Sequence, residues 1–331
     1  MNSRLKNILI ALVFIFFIAL IIDLSFITIT TAKKYRLFGF YEEAGLDDSE
    51  IAAPPKEIKE IDLNLSSNMS EIIYIAPYVG DIDGDVSDDW LYFYGKLADF
   101  HNNNQISSAF SFYPGTMRDD GKFKQVFLKM YHSKYIELVQ KGYIGDEKEM
   151  IMDTLSFEEQ ENIIKKGQDE FKKKIQKMTN NNEIKMPRAY NQIEGNIDMT
   201  SVKILESLGF NFYFDMFIGD LTGPLNSTET FDIIQYGVGF SKEGTAGKEA
   251  VFQNPQEIFN QIKNFQVDQP ILTVNSIKII PLWAHQQDFE SKKDDEIDPE
   301  KWNIYVNTLK ALQKDPNVIL VSPSRIYAGR H

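Results

Sequence analysis

The stretch IKIIPLWAH, residues 277–285, indicates the fold class of this chain. It is an apolar run with three isoleucines, long enough for one buried strand, and it ends at His285 shortly before the charged segment 290–300. In α/β sheets and barrels, ligands and chemistry collect at the carboxyl ends of the strands, because the strands there lead into variable loops. The pattern therefore predicts His285 at that edge, as either a structural or a functional histidine.

Strand and helix patterns alternate on both sides of this stretch. Further strands are predicted at residues 71–78, 106–113, 210–214 and 318–321. Helical spacing of apolar residues predicts helices at 90–101, 123–141, 156–178, 200–208, 255–265 and 301–313, with a short loop at 186–191. Strands that alternate with helices favour parallel βαβ units, so the predicted fold class is α/β.

Composition excludes several kinds of function. The 331 residues carry a net charge of -13, and a nucleic-acid partner is not expected because phosphate binding needs a basic face. The chain has no cysteine, which excludes disulfides, thiolate metal sites and cysteine nucleophiles. Any metal would need histidine, carboxylate or carbonyl ligands.

The amino terminus has the composition of a membrane anchor. Residues 8–22 are unbroken apolar sequence and residues 24–29 form a second apolar patch, together about twenty residues, which is the length of a transmembrane helix. A cleaved signal peptide, with a small-residue site at 30–32, is the alternative. We predict a single transmembrane helix within residues 1–32, a linker or stalk at 33–70 and a domain at 71–331 that is membrane-anchored and extracytoplasmic.

An acidic cluster follows the first predicted strand. Asp81, Asp83 and Asp85 surround Gly84, and three interpretations are open: an acidic turn, a calcium loop, or carboxylates at the same sheet edge as His285. The calcium loop is disfavoured because the closing glutamate of an EF-hand is missing.

Five short motifs, taken in order, resemble a known family. They are SFEEQ at 156–160, IIKKG at 163–167, PRAYN at 187–191, LESLGF at 205–210 and HQQDF at 285–289. Their order and spacing resemble the polysaccharide deacetylases of the NodB-homology type, over roughly residues 72–327. The resemblance implies a distorted (β/α) barrel of about seven strands. It also implies removal of acetyl groups from surface polysaccharide with a divalent metal.

The resemblance also implies roles for particular residues. Asp81 and Asp83 occupy the places of the family's paired aspartates, and His285 that of its late catalytic histidine, which acts as general acid. Arg188 and Tyr190, with the neighbouring Asn191, fall on the loop that shapes the groove and stabilises the oxyanion. The remaining candidate, Asp215, falls on a later strand end where the family often has an acidic partner.

One departure concerns the metal. The family's two metal-binding histidines fall on Gly145 and Glu149, and the chain's four histidines, His101, His132, His285 and His331, lie elsewhere. Two predictions follow. Either Asp146, Glu147 or Glu149 joins Asp83 in an all-oxygen divalent-metal site, or the barrel has no metal cofactor and has lost its catalysis.

These alternatives give three functional hypotheses. The first is a divergent carbohydrate esterase that acts on acetylated cell-surface polysaccharide. The second is a catalytically inactive domain that binds glycan or an envelope partner. The third is a glycosidase with Asp83 and Asp215 as its paired carboxylates. The expected partner is a polysaccharide, or for the second hypothesis a polysaccharide or an envelope partner. The segment 219–254 is predicted to form a loop over the groove.

Overall fold

The computed structural model describes residues 72–84, 86–192, 197–215, 232–235, 237–242, 244–264, 273–274, 277–291 and 296–322. These residues, apart from Val86 and Ser87, belong to one compact unit. The predicted anchor, the linker, Asp85 and residues 219–231, 236 and 243 of the predicted groove loop lie outside the described residues. The prediction of one loop across 219–254 is wrong for the described part, because Asp232–Gln235 and Val238–Gly239 are strands. Within the described residues, no helix has both the length and the apolar character needed to cross a membrane.

The described chain alternates strands with helices, as the sequence predicts. The strands are β1 (Ile73–Ile82), β2 (Ser108–Phe112), β3 (Ile136–Lys141), β4 (Ala189–Asn191), β5 (Phe212–Asp215), β6 (Asp232–Gln235), β7 (Val238–Gly239), β8 (Thr273–Val274), β9 (Ile277–His285) and β10 (Val318–Leu320). The helices are α1 (Asp88–Asn104), α2 (Gly121–Tyr131), α3 (Glu147–Met150), α4 (Phe157–Thr179), α5 (Met199–Ser207), α6 (Pro255–Asn264) and α7 (Pro299–Lys314). Short 3₁₀ turns include 114–116, 152–154, 247–249 and 286–289.

The strands form one sheet in the order β6-β5-β4-β3-β2-β1-β9-β7. All neighbours along this path are parallel, β10 pairs in parallel with the start of β1, and β8 is antiparallel to β9. A parallel sheet with helices between its strands fits the predicted distorted (β/α) barrel. Because the strands are parallel, the carboxyl ends of β3, β2, β1 and β9 are neighbours.

The sheet is buried on both faces. Every residue of β2 and β3 is buried, which is expected for central parallel strands covered on both sides. The inner face carries a cluster of apolar side chains, namely Ala76, Tyr78, Ala109, Val139, Ala189, Phe212 and Ile279. Since side chains alternate along a strand, residues two positions beyond these lie on the same face at the carboxyl ends.

Helix α4 confirms the strongest local prediction in the sequence. Ser156 is its N-cap, and the Ser156 and Glu159 side chains form the reciprocal capping box that SFEEQ predicts. The chain leaves α4 through Asn180, which adopts a left-handed conformation at the C-cap.

The predicted helix at 123–141 is wrong in its second half. Helix α2 ends at Tyr131, and residues 136–141 form strand β3. The Ser133 hydroxyl accepts hydrogen bonds from the backbone N–H groups of Tyr135 and Ile136, both at 3.0 Å. This local turn separates the two elements and starts β3 in register with β2.

The predicted loop at 186–191 is wrong in its second half. Residues 189–191 form β4, which is central in the sheet between β3 and β5. Arg188 precedes this strand and Asn191 ends it. The two residues therefore lie at opposite edges of the sheet.

Candidate functional site

Polar side chains converge where β1, β2, β3 and β9 end. They are Asp81 on β1, Ser111 on β2, Lys141 on β3 and His285 on β9, and we call this group the edge site. Ser111 and Lys141 each lie two residues beyond an inner-face core residue, Ala109 and Val139. The edge site therefore covers the carboxyl end of the inner core, as the sequence predicts for Asp81 and His285.

An irregularity in β1 brings Asp81 into the site. Val79 pairs with Phe110 and Ile82 pairs with Phe112, so Gly80 and Asp81 together lie opposite the one residue between those partners. Two residues opposite one are a β-bulge, a device that redirects a side chain at a strand end. The bulge places Asp81 beside Ser111.

The Asp81 carboxylate is held by two side chains. Lys141 Nζ donates to Asp81 Oδ2 at 2.6 Å, and Ser111 Oγ donates to Asp81 Oδ1 at 2.6 Å. The Lys141 side chain is 5% exposed and the Asp81 side chain 25%. Burial by itself raises the pKa of Asp81, but the charges of Lys141 and His285 and the hydrogen bonds outweigh burial and lower it. Asp81 is therefore an ionised carboxylate that still reaches solvent.

His285 lies beside Asp81, as predicted. It is in register with Gly80, and a Cβ atom on Gly80 would lie 3.4 Å from both His285 Nδ1 and Ser111 Oγ. The backbone N–H of His285 donates to Asp288 Oδ2 at 3.1 Å, which fixes the chain where it leaves β9. The His285 side chain is partly exposed.

Aromatic residues surround the edge site. The Tyr113 ring centroid lies 5.6 Å from Lys141 Nζ. Burial, followed by the charge of Asp81, raises the pKa of Tyr113 well above its usual value, so the phenol is neutral. Tyr94 donates its hydroxyl to the main-chain oxygen of Asp81 at 2.6 Å and also contacts the side-chain amide of Gln286.

Trp283 provides a further aromatic surface. Its ring centroid lies 5.4 Å from that of His285, and its side chain is half-buried against the inner core. A Cβ atom on Gly239 of β7 would lie only 2.9 Å from the Trp283 indole. The indole can therefore lie against β7 only because residue 239 is glycine.

Asp83 lies just beyond the edge site. It follows the end of β1 and is partly exposed. Its charge contributes, after burial and Asp81, to raising the pKa values of Tyr94 and Tyr113. Asp83 is thus close to both phenols, on the edge where the sequence predicts it.

Glu149, a predicted metal ligand, holds the loop after β3. Its carboxylate accepts hydrogen bonds from the backbone N–H groups of Tyr143 (2.7 Å), Ile144 (2.8 Å) and Gly145 (3.3 Å). Glu149 is 1% exposed, and burial raises its pKa despite these bonds. Gly142 has φ +50, and a Cβ atom there would lie 1.8 Å from Glu149 Oε2. The loop therefore needs both the glycine and the glutamate.

The donor set does not fit the predicted divalent metal. The Asp81 oxygens are bonded to Lys141 and Ser111, and the Glu149 oxygens to backbone amides. Asp146, the other predicted ligand, caps α3 by accepting the Glu149 N–H at 3.1 Å. Across the described residues, no group of three or more histidine, aspartate or glutamate side chains is placed to hold a metal ion. The predicted site formed by Asp83, Asp146 and Glu149 is not assembled.

Tyr190 and Arg188 do not join the edge site. Tyr190 is fully buried, packs against Phe210, and donates its hydroxyl to Gln192 Oε1 at 2.8 Å. Arg188 is exposed at the amino-terminal edge of the sheet. Residues 189–191 form a strand, and its alternation turns Tyr190 outward from the barrel. Asp215 ends β5, and its side chain lies outside the described residues.

Ser111, Tyr113 and Lys141 also lie in this region and are not among the site residues that the sequence predicts. A signal was present for Ser111, since it lies two residues after Ala109 on a predicted strand. The position of Lys141 at a strand end could not be inferred, because the sequence pattern predicts a helix across 123–141.

Comparison with known proteins gives similarity at the level of solved structures. No protein-family model and no curated protein matches the chain. A polysaccharide deacetylase from Mycobacterium smegmatis has a TM-score of 0.49 at 10% identity, over 80% of this chain and 92% of that one. A CE4 family pseudoenzyme from Bacillus anthracis has 0.43 at 11%, over 78% and 66%.

A structure outside the deacetylases is also similar. The 4-alpha-glucanotransferase from Thermococcus litoralis has a TM-score of 0.48 at 10% identity, over 78% of this chain. The chain spans 40% of the length of that enzyme. The similar structures thus include polysaccharide deacetylases, the family that the sequence motifs resemble.

Proposed function

We propose that this domain binds a cell-surface polysaccharide at the edge site and does not hydrolyse it by metal-assisted deacetylation. The observation that carries the proposal is the state of the predicted metal ligands. Two of the three, Glu149 and Asp146, are bonded within the loop after β3, and the described residues contain no group of three or more histidine, aspartate or glutamate side chains placed to hold an ion. Metal-assisted hydrolysis needs a bound ion with an open coordination position, and these contacts do not assemble such a site.

The same geometry suits binding of a hydroxyl-rich ligand. An ionised, partly exposed carboxylate accepts hydrogen bonds from hydroxyl groups, and bonds to a charged acceptor are stronger than neutral ones. His285 adds a second polar group beside Asp81. The half-buried Trp283 adds an apolar surface next to them. A few fixed polar groups beside aromatic surface are the usual composition of a small-molecule site.

We also propose where in the cell the domain lies. The apolar segment at residues 8–29 would anchor the chain in a membrane, with residues 71–331 on the extracytoplasmic side. A polysaccharide of the cell envelope is the ligand that such a placement offers. Whether the ligand is acetylated is an outcome of the binding experiment.

Binding of the full chain, purified in detergent, to peptidoglycan and to acetylated and deacetylated chito-oligosaccharides tests the proposal. We expect saturable binding that EDTA does not change. His285→Ala should weaken it about tenfold, which corresponds to the loss of one or two hydrogen bonds. His132→Ala is the matched control, because His132 is an exposed histidine at the end of α2.

A divergent carbohydrate esterase is the second candidate, and the proximity of Asp81 and His285 favours it. Those two residues are the ones that the deacetylase resemblance implies as base and acid. Acetate released from acetylated glycan by the wild-type chain, and abolished by His285→Ala, would establish the esterase and rule out the inactive domain. Bound glycan without released acetate would support the binding domain.

A further inference from the structure

We propose that the edge site recognises a positively charged amino group of its glycan, with Asp81 and Asp83 as the two carboxylates that accept hydrogen bonds from it. This inference rests on the proposed binding function and names the chemical class of the ligand, an amino sugar without its acetyl group. Asp83 is thereby a binding residue that selects the ligand by charge.

Asp81 and Asp83 lie on the same side of the chain where β1 ends. Side chains two positions apart in an extended segment point the same way. Ile82, between them, is 2% exposed and points into the core, whereas Asp81 and Asp83 are both partly exposed. The two carboxylates therefore face the open side of the edge site together.

The turn after β2 fixes the backbone on both sides of Asp83. The Tyr113 N–H donates to the Ile82 carbonyl at 3.3 Å. The Gly84 N–H donates to Thr116 Oγ1 at 3.0 Å. A Cβ atom on Gly84 would lie 1.5 Å from the Thr116 carbonyl oxygen, so only glycine allows this close approach. Asp83 is therefore held in place before any ligand binds.

The carboxylates of this edge are more exposed than the cation that supports them. The Lys141 side chain is 5% exposed, whereas that of its partner Asp81 is 25% exposed. One buried ammonium group thus lies behind two carboxylates that reach solvent. Hydrogen bonds between a carboxylate and a charged donor are stronger than those to a neutral hydroxyl, so this arrangement favours a cationic ligand.

Trp283 suits the rest of an amino sugar. Its ring centroid lies 5.4 Å from that of His285, and its indole offers an apolar face for a sugar ring and attracts a nearby cation. Acetylation removes the charge of the amino group and keeps the sugar ring. It should therefore weaken the contribution of the two carboxylates and keep that of the indole.

Binding of three oligosaccharides of equal length to the full chain in detergent tests the inference. Deacetylated chito-oligosaccharide carries amino groups, its acetylated form carries acetamides, and a cello-oligosaccharide carries hydroxyl groups at the same positions. At pH 7, where amino groups are largely charged, we expect the deacetylated form to bind about tenfold more tightly than the other two. Added salt should weaken the binding of the deacetylated form alone.

Asp83→Asn is the test variant, because it removes one charge, keeps the side-chain size and leaves the Lys141–Asp81 pair intact. It should remove most of the tenfold preference. Asp99→Asn is the matched control: it removes the same charge from the chain at a surface pair with Lys129 and should keep the preference. Salt dependence of the wild type decides the case in which Asp83→Asn does not fold.

The outcomes separate this inference from the proposed function. Equal binding of the three oligosaccharides, or tighter binding of the acetylated form, would overturn the amino-group inference and leave glycan binding in place. A preference that Asp99→Asn lowers as much as Asp83→Asn does would also overturn it, because total charge would then select the ligand. Binding to none of the three, nor to peptidoglycan, would overturn the proposed function itself.

Discussion

Two acidic side chains, Asp81 on β1 and Glu149 after β3, are held in different ways. Glu149 is 1% exposed and its carboxylate accepts three backbone N–H groups of one loop. Asp81 is held by the Lys141 and Ser111 side chains, and a quarter of its side chain reaches solvent. The Glu149 carboxylate shapes the backbone, and the Asp81 carboxylate faces the space where a ligand would bind.

This difference distinguishes a structural carboxylate from a functional one at the same edge of the sheet. A carboxylate that is fully buried and bonded to local backbone amides is not accessible to a ligand, whatever motif surrounds it. A carboxylate that is supported from behind by charged and polar side chains, and open on one side, is prepared for a ligand. Four predictions test this distinction.

Asp81→Ala is expected to have the largest effect. It leaves the Lys141 ammonium buried without a counter-charge, which should cost about 3–5 kcal/mol of unfolding free energy in urea denaturation. Asp99→Ala is the matched control, because Asp99 pairs with Lys129 at the surface and should cost at most about 1 kcal/mol. Equal losses for the two variants would show that burial of Lys141 gives the inner pair no special role.

Glu149→Gln is expected to cost about 2–3 kcal/mol, because one of the two side-chain acceptors becomes an N–H₂ group facing backbone donors. Glycan binding to the folded variant should change little, since Glu149 contacts the loop and not the open side of the edge site. Glu147→Gln, at an exposed position of α3, is the control and should be neutral. A variant that loses ligand binding and keeps its stability would reverse the roles assigned to Glu149 and Asp81.

His101 extends the comparison to histidines, since it is fully buried whereas His285 is partly exposed. Its Nδ1–H donates to the Ile106 carbonyl at 3.1 Å, and its Nε2 therefore accepts from the Tyr305 hydroxyl at 2.9 Å. Burial lowers the pKa of His101 from 6.5 to about 4.

The sign of the resulting pH dependence follows from the two states. Below pH 6.5 the unfolded chain binds the proton more readily than the folded one, so stability is present above pH 6.5 and is lost as pH falls toward 4. Between pH 7 and 4.5 the loss from this group should be roughly 2–3 kcal/mol. His101→Gln should show a flatter dependence in urea denaturation at the two pH values, and an unchanged slope would contradict the assignment.

Gly239→Ala is expected to have the smallest effect on stability, about 1–2 kcal/mol, because the new methyl group would lie 2.9 Å from the Trp283 indole. Its main result should be a displaced ring, seen as a changed tryptophan fluorescence spectrum and weaker glycan binding. Gly95→Ala is the control, since a Cβ there meets only Val126 at 3.6 Å and helix α1 gains from alanine. Unchanged glycan binding by Gly239→Ala would remove Trp283 from the ligand surface.

The sequence predicted the fold class and much of one edge of the site. Alternating strand and helix patterns gave the parallel sheet, and the IKIIPLWAH run placed His285 at the end of β9 as observed. Asp81 and His285 were correctly assigned to one edge because parallel strands end together. The predicted anchor at 1–32 lies outside the described residues and stays a prediction.

The sequence could not predict strand β3, the position of Lys141 or the contacts of Glu149, and each has a physical reason. The apolar spacing across 123–141 is compatible with one helix, and only the hydrogen bonds of Ser133 show that the chain turns there. The sequence pattern therefore predicts neither strand β3 nor the position of Lys141 at its end. The spacing of Glu149 from the helix start matches a metal-ligand position of the family that the motifs resemble. Spacing carries no information on which backbone amides a carboxylate meets.

The alternation of elements, the capping box of α4 and the edge at which the polar groups collect can be predicted from the sequence, because they depend on periodicity and on neighbours along the chain. The bonding partner of each polar group depends on the tertiary structure. Lys141 and Asp81 are sixty positions apart in the chain, and their contact depends on the register of three strands and on one bulge in β1. That contact holds the Asp81 carboxylate at the edge where the polar groups collect.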